Sequence, residues 1–245
     1  GPIEERLRAA IEKAVEEGRS IFNNIRKTVL FLLSSNIAEV LTMFILICVG
    51  LPAPFVAVHL LWINLITDSL PAVALGMDTK DKNIMNNKPR DPNDTLFSHG
   101  GLRDTLMFGA FITLAVIIAY LSAFWLNGIT TYEGIVNASS EVISQAQTMS
   151  FVSLAFVELT HMVCVSNTSK SFIYVFKNKN WMMLLAFVLG IGLQLFVVLT
   201  PGVNTFFSVS TLNGKEWLIT ALIALIPLVA HEIMVLIKYI YKKIQ

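Results

Sequence analysis

Apolar residues in this chain gather into six blocks of about 20, separated by polar stretches. That is the length an α-helix needs to cross a hydrocarbon layer of roughly 30 Å. The blocks lie at about 29–49, 55–75, 106–126, 149–165, 181–199 and 217–237. Ahead of the first, Ile3, Leu7, Ile11 and Val15 recur every four residues among Glu, Lys and Arg, which is a helical period. No breaker separates this pattern from the first block. The stretch predicts one long helix, half in water and half in lipid, with Gly18 its weak point. Gly50-Leu51-Pro52-Ala53-Pro54 predicts a tight turn. Pro71, inside the second block, predicts a kink or loosening near Asp68, with backbone carbonyls freed there. Residues 76–103 predict a polar loop of little regular structure, and 127–147 a second polar segment. The fold class is all-α: a polytopic membrane bundle of six transmembrane helices, the first extended as a stalk.

Composition supports this reading. Of 245 residues, 55% are hydrophobic and 14% charged, with a mean hydropathy of +0.66. The charged share is well below the ~25% of ordinary soluble domains. The implied partner is a lipid bilayer. A net charge of +1 without a basic stripe gives no expectation of a nucleic-acid partner. Cys48 and Cys164 both sit in apolar blocks and read as small packed side chains, not a disulfide. The charged, helix-forming start is unlike a secretory signal. Six crossings put both termini on one side, and that side then holds every Lys and Arg except Lys215. Such an excess marks the cytoplasmic face, so both termini are expected there.

Three acids fall at mid-depth of three different blocks: Glu39, Asp68 and Glu158. Inserting one costs roughly 2.5–3.5 kcal/mol, so an intramembrane carboxylate points to function. No Lys or Arg shares their depth. Asn64, Thr67 and Asp68 are spaced i, i+3, i+4, and Asn36 and Glu39 i, i+3, so each set presents oxygen on one helical face. Carboxylate, amide and hydroxyl oxygens are hard ligands, suited to Ca²⁺, Mn²⁺ or Mg²⁺. Plainer readings stand beside this one. Asn36 and Thr67 are also ordinary interhelical hydrogen-bonding residues. Glu158 and His161, one turn apart, suit a local hydrogen-bonded pair. His231, Glu232 and Lys238 read as structural polar contacts, and His59 and Gln194 as interhelical or lumen-facing groups. Most tryptophans read as interfacial anchors, with Trp62 packed between helices.

Three segments carry a family resemblance. They are Ala14-Val15-Glu16-Glu17-Gly18-Arg19 through Asn23-Asn24-Ile25-Arg26-Lys27, Ser34-Ser35-Asn36-Ile37-Ala38-Glu39-Val40, and Leu61-Trp62-Ile63-Asn64-Leu65-Ile66-Thr67-Asp68-Ser69-Leu70-Pro71. Together with Asn83-Ile84-Met85 through Lys88-Pro89-Arg90, they resemble the last six spans of P-type calcium-transporting ATPases of the sarco/endoplasmic reticulum type and bacterial relatives. The likeness runs from about Ala14 to the C-terminus. It implies a cation-transporting C-terminal membrane domain over 14–245. Gly1-Pro2 reads as a protease-cleavage scar, and residues 1–13 as an added leader or an extension of the stalk helix.

The resemblance implies two neighbouring Ca²⁺ sites. Asn36, Glu39, Thr67 and Glu158 correspond to ligands of the first, Asn64 to one of the second, and Asp68 to the carboxylate shared by both. It implies, for the parent protein, ATP-driven export of Ca²⁺ with Mg²⁺ and ATP as cofactors and protons moving in return. The family's Asp-Lys-Thr-Gly-Thr phosphorylation motif does not occur in these 245 residues. This chain alone is therefore not expected to hydrolyse ATP, and its implied partners are the parent's N-terminal spans and cytoplasmic domains. At most one weak calcium site is expected within the chain itself. Two alternatives stay open: a non-catalytic membrane scaffold, and a pump for another divalent cation such as Mn²⁺. A multi-pass location in a bacterial cell membrane is favoured by the cysteine-free 127–147 segment; an endoplasmic reticulum-type membrane is the other option.

Overall fold

Every regular element of the computed structural model, which describes residues 1–245, is helical. Six helices are long and apolar enough to cross a membrane: α1 (Pro2–Cys48), α2 (Ala57–Gly76), α3 (Gly101–Leu126), α4 (Ser140–Ser166), α5 (Trp181–Leu199) and α6 (Gly214–Ile244). α1 runs 47 residues, passing Gly18 without interruption. No residue before Ser20 is buried, so about the first four to five turns stand clear of the bundle as a stalk.

The second block is not one regular helix. It is α-helical over Ala57–Trp62, forms a π-helical turn over Ile63–Thr67, and resumes as α-helix at Ser69–Gly76. Within it the Asp68 N–H bonds to the Ile63 carbonyl at 2.8 Å, five residues back. Pro71 has no N–H to offer the Thr67 carbonyl four residues before it, so the loosening falls just N-terminal to the proline, as expected.

Other boundaries differ from the hydropathy pattern. α3 begins at Gly101 and α4 at Ser140, both earlier than their apolar blocks. The Ser139 side chain caps α4 by accepting from the Val142 N–H, which lets the polar residues 140–148 join the helix. α6 continues to Ile244 but is interrupted at Leu225, because Pro227 cannot donate to the helix ahead of it. The polar segments also contain short helices at Ile84–Asn86, Tyr132–Val136, Ile173–Lys177 and Val203–Phe206.

α4 is the axis of the bundle. Its most apolar window is 89% buried, against 33% for α5 and 28% for α6. Phe151, Leu154 and Val157 of α4 pack with Ile112, Ala115, Val116 and Ala119 of α3. Small residues bring helices close: a Cβ at Gly190 would lie 2.6 Å from Leu159 Cδ2, and one at Gly109 3.0 Å from Ile37 Cγ2. These contacts hold α5 against α4, and α3 against α1.

Each end is tied by polar contacts. On the side bearing Lys215, Tyr120 donates to the Pro52 carbonyl at 2.7 Å, Tyr132 to Val49 at 2.7 Å, and Gln147 to Ala53 at 3.0 Å. His59 Nε2 meets the Phe207 carbonyl at 2.7 Å, and its ring stacks on Phe151. On the opposite, basic side, the buried Asp78 carboxylate accepts from Lys27 Nζ at 2.9 Å, Ser166 Oγ at 2.9 Å and the Asn180 amide. That one side chain joins α1, the end of α2, the end of α4 and the start of α5. Trp62 Nε1 donates to Gln194 Oε1 at 3.1 Å, placing Trp62 between α2 and α5.

Candidate cation site

Each mid-depth acid comes from a different helix, and the packing around α4 turns all three inward. Glu39 on α1 is 8% exposed, Asp68 at the end of the π turn 3%, and Glu158 on α4 0%. One carboxylate oxygen from each lies within 4.8 Å of the others. No salt bridge reaches any of them. Glu39 Oε1, Asp68 Oδ1 and both Glu158 oxygens are buried without a hydrogen-bond partner. Ser35, one turn before Glu39, is wholly buried too, and its hydroxyl has no hydrogen-bond partner. Thr67 is buried beside Asp68 in sequence, 4% exposed.

Three carboxylates converging in a buried interior repel one another if charged, and each unpartnered oxygen carries a desolvation cost. A cation among them removes both penalties. The donors are all hard oxygens, and Ca²⁺ takes such ligands at 2.3–2.6 Å in flexible geometry. The nearest thiol on α4, Cys164, bonds instead towards the Pro227 carbonyl.

Asn36 and Asn64 are not brought into this buried group; both lie on exposed faces. On α1 the buried line runs through Ser35, Ala38, Glu39 and Thr42, which leaves Asn36 on its edge. On α2 the π turn between Asn64 and Asp68 shifts the two out of α-helical register, so the shared face expected from i, i+4 spacing is lost. Nor do Glu158 and His161 pair with each other. The imidazole is held against the rings of Phe31 and Phe108, at 5.5 and 4.7 Å between centroids, and both its nitrogens lack partners. His231 and Glu232 do make structural contacts: His231 Nε2 to the Lys170 carbonyl at 2.8 Å, and Glu232 to Ser171 Oγ and the Phe172 N–H, each at 2.8 Å.

Two buried polar residues, Ser35 and Asp78, carry no mark in the sequence pattern. Ser35 adjoins Asn36 in Ser-Ser-Asn, and only the direction of α1 burial separates their roles. Asp78 lies in a stretch with many charges, and nothing in its spacing marks it as the one that is enclosed.

The family model described as "Cation transporting ATPase, C-terminus" matches residues 52–237. The chain belongs to that family. This cation-transporting ATPase C-terminal region is 37% identical over 240 residues to calcium-transporting ATPase 1 of Bacillus cereus, covering 94% of the chain and 26% of that relative. It is 34% identical over 223 residues to a calcium-transporting ATPase of Bacillus subtilis, covering 89% and 23%. An endoplasmic reticulum calcium ATPase of Aspergillus fumigatus is 31% identical over 227 residues, covering 85% and 23%. The chain thus spans about a quarter of the length of the curated relatives it matches. The family model covers α2 to α5 and most of α6, and α1 lies ahead of it.

Proposed function

We propose that this domain binds Ca²⁺ at mid-membrane for an ATP-driven calcium export pump, with Glu39, Thr67, Asp68 and Glu158 as its inner ligands. The observation that carries the reading is the convergence of three unpaired carboxylates from α1, α2 and α4 within 4.8 Å. Asn36 and Asn64 stand at the edge of this group as ligands of a larger site, completed by segments outside these helices. The names of the relatives favour Ca²⁺ over Mn²⁺, which the same oxygens would also accept. A scaffold role with protonated, mutually hydrogen-bonded acids is the rival reading, and calcium-dependent thermal stabilisation of the chain separates the two.

Transport follows from the same geometry. α1 is a continuous rod from the stalk to Glu39, so a pull on the stalk displaces one carboxylate relative to the other two. Separating the acids raises the cost of holding the ion and releases it. Once the ion leaves, the acids cannot all remain charged in a low dielectric, and protons take its place. Mg²⁺ and ATP act in the parent protein's cytoplasmic parts. The Bacillus relatives favour a bacterial cell membrane as the setting.

The test is ATP-driven calcium uptake by the full-length pump reconstituted in sealed vesicles. The expected result is calcium accumulation with an opposing pH change. Uptake of calcium with no pH change overturns the proton exchange, and ATP-driven transport of Mn²⁺ but not Ca²⁺ overturns the ion.

A further inference from the structure

The link between α4 and α5 lies on the basic side of the bundle and contains the short helix Ile173–Lys177. Its inner side is fastened. Val175 is buried, Glu232 accepts from Ser171 Oγ and the Phe172 N–H, and Asn180 donates to Asp78. Its outer side is open. Ile173 and Phe176 are exposed, and Trp181, the first residue of α5, is 70% exposed. Trp181, Leu185 and Val188 follow at helical spacing and are all exposed, so this apolar edge runs on into the outer face of α5.

The short helix ends in a Schellman turn. The Asn180 N–H bonds to the Val175 carbonyl at 3.2 Å, and the Lys179 N–H to the Phe176 carbonyl at 3.1 Å. The turn holds Lys179 in the left-handed region, at φ 52°. Glycine is the usual residue there, because a Cβ is strained in that conformation. The chain itself uses glycine at the left-handed positions 50, 100, 128 and 202. A lysine side chain adds nothing to the turn's hydrogen bonds, so its charge is the property retained. Neither Lys179 nor Lys177 forms a salt bridge. The two acids that hold this segment, Asp78 and Glu232, are engaged on its inner side. Lys170, the third lysine of the link, sets its Nζ over the Tyr174 ring at 4.2 Å.

We infer that this edge is a binding site for the headgroup of an anionic phospholipid. Lys177 and Lys179 take the phosphate, and Phe176 and Trp181 lie at the boundary with the acyl chains. Two free ammonium groups sit in sequence between two exposed aromatic rings, at the point where an apolar span meets the basic end of the bundle. Tryptophan favours that depth, and lysines beside a span attract anionic lipid. A strained residue held in place by its surroundings is a mark of function, and the Asn180 contacts to Asp78 and to the Met183 N–H hold Lys179 from the next position. The inference does not rest on the calcium assignment.

The experiment compares the Tm of the chain, without calcium, in nanodiscs of pure phosphatidylcholine and of phosphatidylcholine mixed with phosphatidylglycerol in equal parts. Wild type is expected to unfold at a higher temperature in the mixed lipid. The Lys177→Gln, Lys179→Gly pair is expected to lose about half of that rise or more, because juxtamembrane lysines supply the attraction. The Lys242→Gln, Lys243→Gln pair removes the same charge from the end of α6 and is expected to keep most of the rise. Equal losses in the two pairs, or no rise in wild type, overturn the site. In pure phosphatidylcholine Lys179→Gly alone is expected to unfold at or above the wild-type temperature, since glycine relieves the left-handed strain. A lower Tm there shows that the lysine serves the turn itself and overturns the inference. Inorganic phosphate added to the phosphatidylcholine nanodiscs is expected to leave the wild-type Tm unchanged. A rise matching that from phosphatidylglycerol assigns the lysines to a free anion and overturns the lipid.

Discussion

Asp68 and Glu158 stand 90 residues apart in sequence and on different helices, yet an oxygen of one carboxylate lies within 4.8 Å of an oxygen of the other. Glu39 closes the group from a third helix. The bundle brings three carboxyl groups together in its buried interior.

The closeness of α5 to α4 rests on Gly190. A Cβ there meets Leu159 at 2.6 Å, and Leu159 is the residue after Glu158. Gly190→Val is expected to cost about 1–3 kcal/mol by overpacking. Thermal unfolding of the chain in detergent checks this. An unchanged Tm would show that α5 moves aside freely.

Asp78 is the acceptor for Lys27, Ser166 and Asn180 at once. Removing it leaves a partly buried ammonium and two polar side chains without their acceptor. Asp78→Ala is expected to destabilise the chain by about 3 kcal/mol, the lower end for breaking a buried pair because Lys27 retains some exposure. Replacing Lys27 as well, by Met, should recover part of that loss. Chemical denaturation of the two variants decides it; equal stability of Asp78→Ala and wild type contradicts the role.

At the other end, Tyr120 donates to the Pro52 carbonyl in the turn between α1 and α2. Tyr120→Phe keeps the ring and loses the bond, at an expected cost of about 1 kcal/mol. The same variant should speed amide exchange in the turn at residues 50–55. No change in that exchange would mean the tyrosine does not hold the turn.

Much of this was legible in the chain. Blocks of apolar residues mark the six helices because lipid tolerates nothing else of that length. Glu39, Asp68 and Glu158 are conspicuous for the same reason: a carboxylate at that depth has to be explained. Rotation about each helix axis was less legible. Spacing placed Asn36 with Glu39 and Asn64 with Asp68, but α1 buries the Ser35 edge, and the π turn before Pro71 resets the register of α2. Helix ends were also hidden, since the Ser139 cap extends α4 through residues that hydropathy alone places in a loop. The enclosure of Asp78 depends on four segments meeting in space, which no local pattern encodes.

The central claim is that Glu39, Asp68 and Glu158 form one cation site. Calorimetric titration of Ca²⁺ into the chain, wild type against Asp68→Asn, tests it most directly. The account predicts saturable binding heat in the wild type and its loss in Asp68→Asn, since removing the middle carboxylate takes away one charge and one ligand. Identical heats in the two proteins would contradict it.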